Sequence, residues 1–192
     1  MKAIGRISTC ALWFGGGLIL LAAVIIGIDV LLRKFLETSL GGADELAGYA
    51  LAIGSAWALP AALLDRGHIR IDSLYVHFGL RARLLLDLLG LGLFMLFFAL
   101  LAWHAWGIAE QSFAVGARSQ NALETPIAIP QAIWAVGLTW FVLVGLLVGA
   151  RAIQLGLAGD ASAAVRLVGT RSAEEEVEEE VRNLKLRAES VT

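Results

Sequence analysis

Four long, nearly uncharged stretches constrain this chain more than any other feature, at about residues 11–32, 44–64, 86–109 and 127–151. An α-helix rises 1.5 Å per residue, so the first stretch reaches roughly 33 Å, enough to cross a hydrocarbon core about 30 Å thick. It holds one charged residue, Asp29, while Leu46 to Leu64, Leu88 to Ala109 and Ile127 to Ala150 hold none. A soluble domain cannot hide four such helices in 192 residues, and the composition agrees: 58% of the chain is apolar, against roughly 45–50% in ordinary soluble domains, with a mean hydropathy of +0.76. The expected fold is therefore an all-α integral membrane protein with four transmembrane helices, one membrane domain over residues 1–157 and an acidic tail over 158–192. Lys2 and Arg6 precede the first stretch as they would in a cleaved signal peptide. The apolar region of such a peptide is only about 7–15 residues long, so the length favours a retained anchor.

Lys and Arg concentrate on the cytoplasmic side of membrane proteins. With the N-terminus inside, that side carries Lys2, Arg6, Arg66, Arg70, Arg81, Arg83, Arg151, Arg166, Arg171, Arg182, Lys185 and Arg187, and the other side only Arg33, Lys34 and Arg118. Both termini are accordingly expected in the cytoplasm. Between the second and third spans, Ile71, Leu74, Tyr75 and Phe78 recur at i, i+3, i+4 and i+7, which suits a short helix lying in the inner interface; an ordinary loop with scattered apolar residues is the alternative. In the tail, Glu174 to Glu180 reads EEEVEEE, and Glu178 stands four residues before Arg182 in the favourable order. That segment is either a solvated helix or disordered.

The chain has a single cysteine, Cys10, which excludes a disulfide framework or a cysteine-rich metal site within one chain. Its net charge of −2 is unlike the clustered basic surface that nucleic acid requires, so no nucleic-acid partner is expected. GxSxG, HExxH, CxxC and Walker sequences are absent, and no enzymatic activity is expected. Ionisable groups inside a membrane are costly and are the first functional candidates. Asp29 lies four residues before Arg33, so an ion pair accounts for it; Asp87 lies within reach of Arg83; His104 is the one histidine well inside a span and is expected to be satisfied by a neighbouring backbone or hydroxyl group. A haem- or quinone-binding membrane anchor is the rival reading from another functional class. His68, His77 and His104 do not sit at matching depths on different spans, which opposes it, and no cofactor is expected. Gly145 and Gly149 form a GxxxG in the fourth span, and Ala43, Ala47, Ala50, Gly54 and Ala58 give small-xxx-small spacing in the second. Both spacings let helix backbones approach closely, within this chain or against a partner. No span carries the midplane polar cluster that secondary transporters use to hold substrate and coupling ion.

The order of these features resembles a known family. Arg33 after the first span, the acidic pair Asp44 and Glu45 opening a small-residue second span, RGHIRID from Arg66 to Asp72, and TPIAIP from Thr125 to Pro130 together look like the small permease subunit, DctQ-like, of tripartite ATP-independent periplasmic (TRAP) transporters. The resemblance covers roughly residues 10 to 152. It implies a multi-pass protein of the bacterial inner membrane. Its partners would be a large multi-span permease subunit, which moves an organic anion with sodium, and a periplasmic substrate-binding protein that captures the anion. The small subunit of that family resembles a scaffold in the bilayer. On this reading Arg33, Asp44, Glu45, Arg66, His68, Asp72, Thr125, Pro126, Gly145 and Gly149 are structural or partner-contact positions. Asp44 and Glu45 would cap the second helix, His68 and Asp72 would order the inner loop, and Thr125 with Pro126 would set the start of the fourth helix.

Overall fold

A computed structural model describes residues 2–66 and 78–169, together with Val181 and Leu184. It is all-helical. Four long helices, α1 (Lys2–Leu36), α2 (Ala43–Leu64), α3 (Leu80–Ala114) and α4 (Ala128–Leu157), are each long and apolar enough to cross a membrane, and a short helix, α5 (Ala161–Val168), follows them. The tail's acidic run and most of the segment expected to lie in the interface, including His68, Asp72 and His77, fall outside the described residues.

The helices form a row. Helix α1 lies on α2, α2 on α4, and α4 on α3, so α2 and α4 are central and the flanking α1 and α3 stay largely uncovered. The α1–α2 crossing is close for a simple steric reason. Gly15 and Gly54 face each other so tightly that a β-carbon on Gly15 would stand 2.5 Å from the Gly54 carbonyl oxygen, and one on Gly54 would stand 2.7 Å from the Gly15 oxygen. Lipid gives helices no hydrophobic reason to associate, so this contact is held by backbone packing that only a missing side chain permits. The GxxxG of α4 does comparable work inside the bundle: Met95 of α3 fills the notch at Gly145, and Leu91 lies 3.4 Å from where a β-carbon on Gly149 would be. Where α2 meets α4, the Trp57 ring lies over Gly137 and donates its indole N–H to the Ile133 carbonyl at 3.0 Å.

Two apolar clusters fill the space between α2, α3 and α4. Near the α1–α2 and α3–α4 connections, hereafter the loop end, Ala56, Ala102, Ala105, Ala135 and Leu138 pack closely; towards the other end Leu63, Met95, Phe141, Val144 and Val148 make a bulkier cluster. Pro60 does not interrupt α2: the helix runs through it to Leu64, and the proline is buried. A proline inside a helix removes one intrahelical donor, here the one for the Ala56 carbonyl, and neighbouring helices make that tolerable in a membrane bundle.

Helix α5 lies within the stretch expected from the sequence to be an acidic tail. Gly159, at φ 88°, turns the chain after α4, and Asp160 caps the new helix by accepting from the Ala163 N–H at 3.0 Å. The Ser162 hydroxyl adds a second donor at 2.9 Å, and together the two hold the Asp160 carboxyl below the usual carboxylate range. The helix folds back across the ends of α3 and α4, burying Ala164 and setting Leu167 and Val168 against the bulkier cluster. Gly169 at its end lies beside the Asp87 carboxylate, which is buried there.

Candidate functional site

Two of the three buried carboxylates among the described residues, Asp29 and Glu45, lie at the loop end, each at the centre of a polar knot. The first begins with Asp29 on α1, only 2% exposed. One of its oxygens pairs with the Arg33 guanidinium at 2.6 Å, the expected i to i+4 ion pair. The other accepts from the Ser39 hydroxyl at 2.9 Å and from the Leu40 N–H at 2.7 Å, so the same carboxylate also fastens the α1–α2 turn. Arg33 reaches on towards Asp44 at 3.6 Å, through solvent: Asp44's side chain is 81% exposed.

The second knot centres on Glu45, 8% exposed. Tyr49, one turn along α2, donates its hydroxyl to one carboxylate oxygen at 2.8 Å, and Ser119 of the α3–α4 connection donates to the other at 2.7 Å. Asn121 and Thr125 of the same connection also interact with it. That connection is itself folded: Ser119 N–H donates to the Thr125 carbonyl at 2.9 Å, Ile127 N–H to the Ala117 carbonyl at 3.2 Å, and Arg118 pairs with Pro126 in an isolated antiparallel bridge. Its tip covers the start of α2. Gly42 adopts φ 94°, and a β-carbon there would stand 2.5 Å from Leu123 Cγ. The position is thus closed to other residues by backbone conformation and by space.

Of the residues singled out from the sequence, Arg33, Asp44, Glu45, Thr125 and Pro126 come together at this end, with Asp44 and Glu45 in different roles. Neither caps α2 through its side chain. The capping position is Gly42, which has no side chain to offer, and the Glu45 carboxylate is turned away to Tyr49 and Ser119. Both remain in the first turn, where the helix dipole favours an anion. Thr125 and Pro126 precede α4 by a short stretch, and their strongest visible engagement is with the folded connection. Arg66 lies at the opposite end of α2, in a left-handed conformation at φ 55° that stops the helix, its N–H on the Leu63 carbonyl. Gly145 and Gly149 face α3. His104 is exposed on α3 and donates from Nδ1 to the Leu100 carbonyl at 2.8 Å, a backbone partner of the kind expected. Three contributors were missed. Tyr49 carried a signal, one turn after Glu45 on the same helix; Ser119 and Ser39 carried none, because each meets its partner only when separate elements dock.

Among the described residues no group of three or more histidine, cysteine or acidic side chains is arranged to hold a metal ion. The arrangement at the loop end is a fastening: two buried carboxylates accept donors from the turns that join the helices. A protein-family model described as "Tripartite ATP-independent periplasmic transporters, DctQ component" matches residues 10–155, from the third turn of α1 to the last turn of α4. The chain belongs to this DctQ family. It is thus a TRAP transporter small permease component and a multi-pass membrane protein. No curated protein and no solved structure gives a match. The DctQ match stops before α5, so the helix that covers Asp87 lies beyond the segment the family model describes.

Proposed function

We propose that this DctQ chain braces the large permease subunit of a sodium-coupled transporter for organic anions, in the bacterial inner membrane and alongside a periplasmic binding protein. The large subunit carries the substrate path. The observation that carries this reading is the state of Asp29 and Glu45: both carboxylates are engaged by the protein's own donors, which leaves them no role as ligands for a substrate or a coupling ion. The buried polar atoms without a partner among the described residues, on Ser8, Gln131 and Trp140, are neutral and scattered over two helices. The uncovered flanks of α1 and α3, with Trp13 and Trp103 each 77% exposed, offer surface to lipid and to a membrane partner. Both termini are cytoplasmic on this proposal, as the distribution of Lys and Arg supports. Arg66, at the end of α2, then lies on the cytoplasmic side.

The test is co-purification of the chain, tagged after Thr192, in mild detergent. A stoichiometric multi-span partner supports the proposal; a clean monomer or homo-oligomer overturns it. A reporter fused after Thr192 should be active only in the cytoplasm, and periplasmic activity would overturn the orientation.

A further inference from the structure

A hollow of about 560 Å³ runs between α3 and α4, walled almost wholly by apolar atoms. Its α3 wall is the row Leu88, Gly92, Met95 and Ala99, at alternating spacings of four and three that keep it on one helix face. Two turns before Leu88 the same row reaches Arg81, which is exposed and has no ion pair or hydrogen bond among the described residues. We propose that this hollow is a binding site for one anionic phospholipid, an acyl chain lying along the row and the phosphate meeting Arg81.

Three observations support that occupant. Spread over the roughly 16 Å of helix from Leu88 to Ala99, about 560 Å³ amounts to a mean cross-section of roughly 35 Å². A groove of that cross-section has room for an extended hydrocarbon chain lying along the two helices. Its length matches the roughly 15 Å depth of one leaflet's hydrocarbon. Charge selects the end: Arg81 lies roughly 10 Å beyond Leu88, at headgroup depth, whereas the second hollow between these helices, near Trp106, is lined by Glu110 and would repel a phosphate.

Native mass spectrometry of the chain extracted in mild detergent, with any partner it retains, tests this. Wild type should keep one phosphatidylglycerol through the activation that strips bulk lipid. Gly92→Phe should abolish that adduct while the protein stays monodisperse, because Gly92 lines the hollow and no atom lies within 4 Å of a β-carbon there to clash with the added ring. Leu96→Trp is a second filling variant with the same expected result. Arg81→Gln should weaken retention of phosphatidylglycerol about fivefold, the effect of one cation near an anionic headgroup, without changing retention of phosphatidylethanolamine. Absence of a retained lipid, an adduct indifferent to both filling variants, or an unchanged affinity in Arg81→Gln would overturn the proposal. So would efficient cross-linking of a photoreactive group at Leu96 to a partner protein, which would show the hollow covered by a subunit.

Discussion

The contact between Gly15 and Gly54 makes a prediction that neighbouring glycines control. A β-carbon on Gly15 would stand 2.5 Å from the Gly54 carbonyl oxygen, and ordinary contact begins near 3.4 Å, so Gly15→Ala must separate α1 from α2 locally by about 0.9 Å. Overpacking of this kind costs about 1–3 kcal/mol. The same substitution returns about 0.5–1 kcal/mol, because alanine orders more readily in a helix than glycine. Gly16→Ala and Gly17→Ala gain that helix term with no clash, since nothing lies within 4 Å of a β-carbon at either position. Reversible unfolding by SDS in mixed micelles should therefore place Gly15→Ala about 1–3 kcal/mol below Gly16→Ala. Gly54→Ala should resemble Gly15→Ala, and the double variant should lose less than the sum, because both β-carbons strain one contact. Equal effects at Gly15 and Gly16 would refute the argument that backbone approach holds α1 in place.

Two further predictions concern the polar groups. Glu45→Gln and Ser119→Ala should each lower thermal stability in detergent and the amount of protein in the membrane, with little added loss when combined, since each breaks the same hydrogen bond; Asp44→Asn should leave both nearly unchanged because that side chain is exposed. Stable protein in Glu45→Gln with uptake by the whole transporter abolished would instead place Glu45 in the transport path. Asp160 has its carboxyl held below the usual range by its donors, so the cap on α5 is present above the ordinary carboxylate value and is lost as pH falls through the lowered one. Protection of residues 163–168 against hydrogen exchange, taken relative to the intrinsic rate at each pH, should accordingly fall below about pH 4, and Asp160→Ala should remove that pH dependence by leaving α5 poorly protected throughout.

The family could be read from residues as well as from the family-model match over residues 10–155, because its features are local: Arg33, the Asp44–Glu45 pair and Thr125–Pro126 each stand at a fixed distance from an apolar span. What those residues do was less accessible. Asp44 and Glu45 are neighbours in sequence and look like one acidic pair, yet successive residues on a helix point about 100° apart, and one faces solvent while the other faces the α3–α4 connection. Asp29 was explained by Arg33 alone, although the turn donors Ser39 and Leu40 complete its shell. The α5 signal was present, an Asp at an N-cap followed by Ala164, Val165 and Val168 on one face, but a stretch so short and so rich in alanine carries little periodicity.

The four spans, the membrane class and the sign of the charge asymmetry follow from the sequence by itself, because the cost of placing a residue in hydrocarbon depends on that residue and a few neighbours. Which helices touch, that Gly15 meets Gly54 while Gly16 meets nothing, and that Ser119 serves Glu45 across 74 residues were decided only by the tertiary structure. In a bilayer the spans are equally apolar on every side, so hydropathy does not say which faces meet. Steric fit between backbones and the pairing of a few buried carboxylates make that choice.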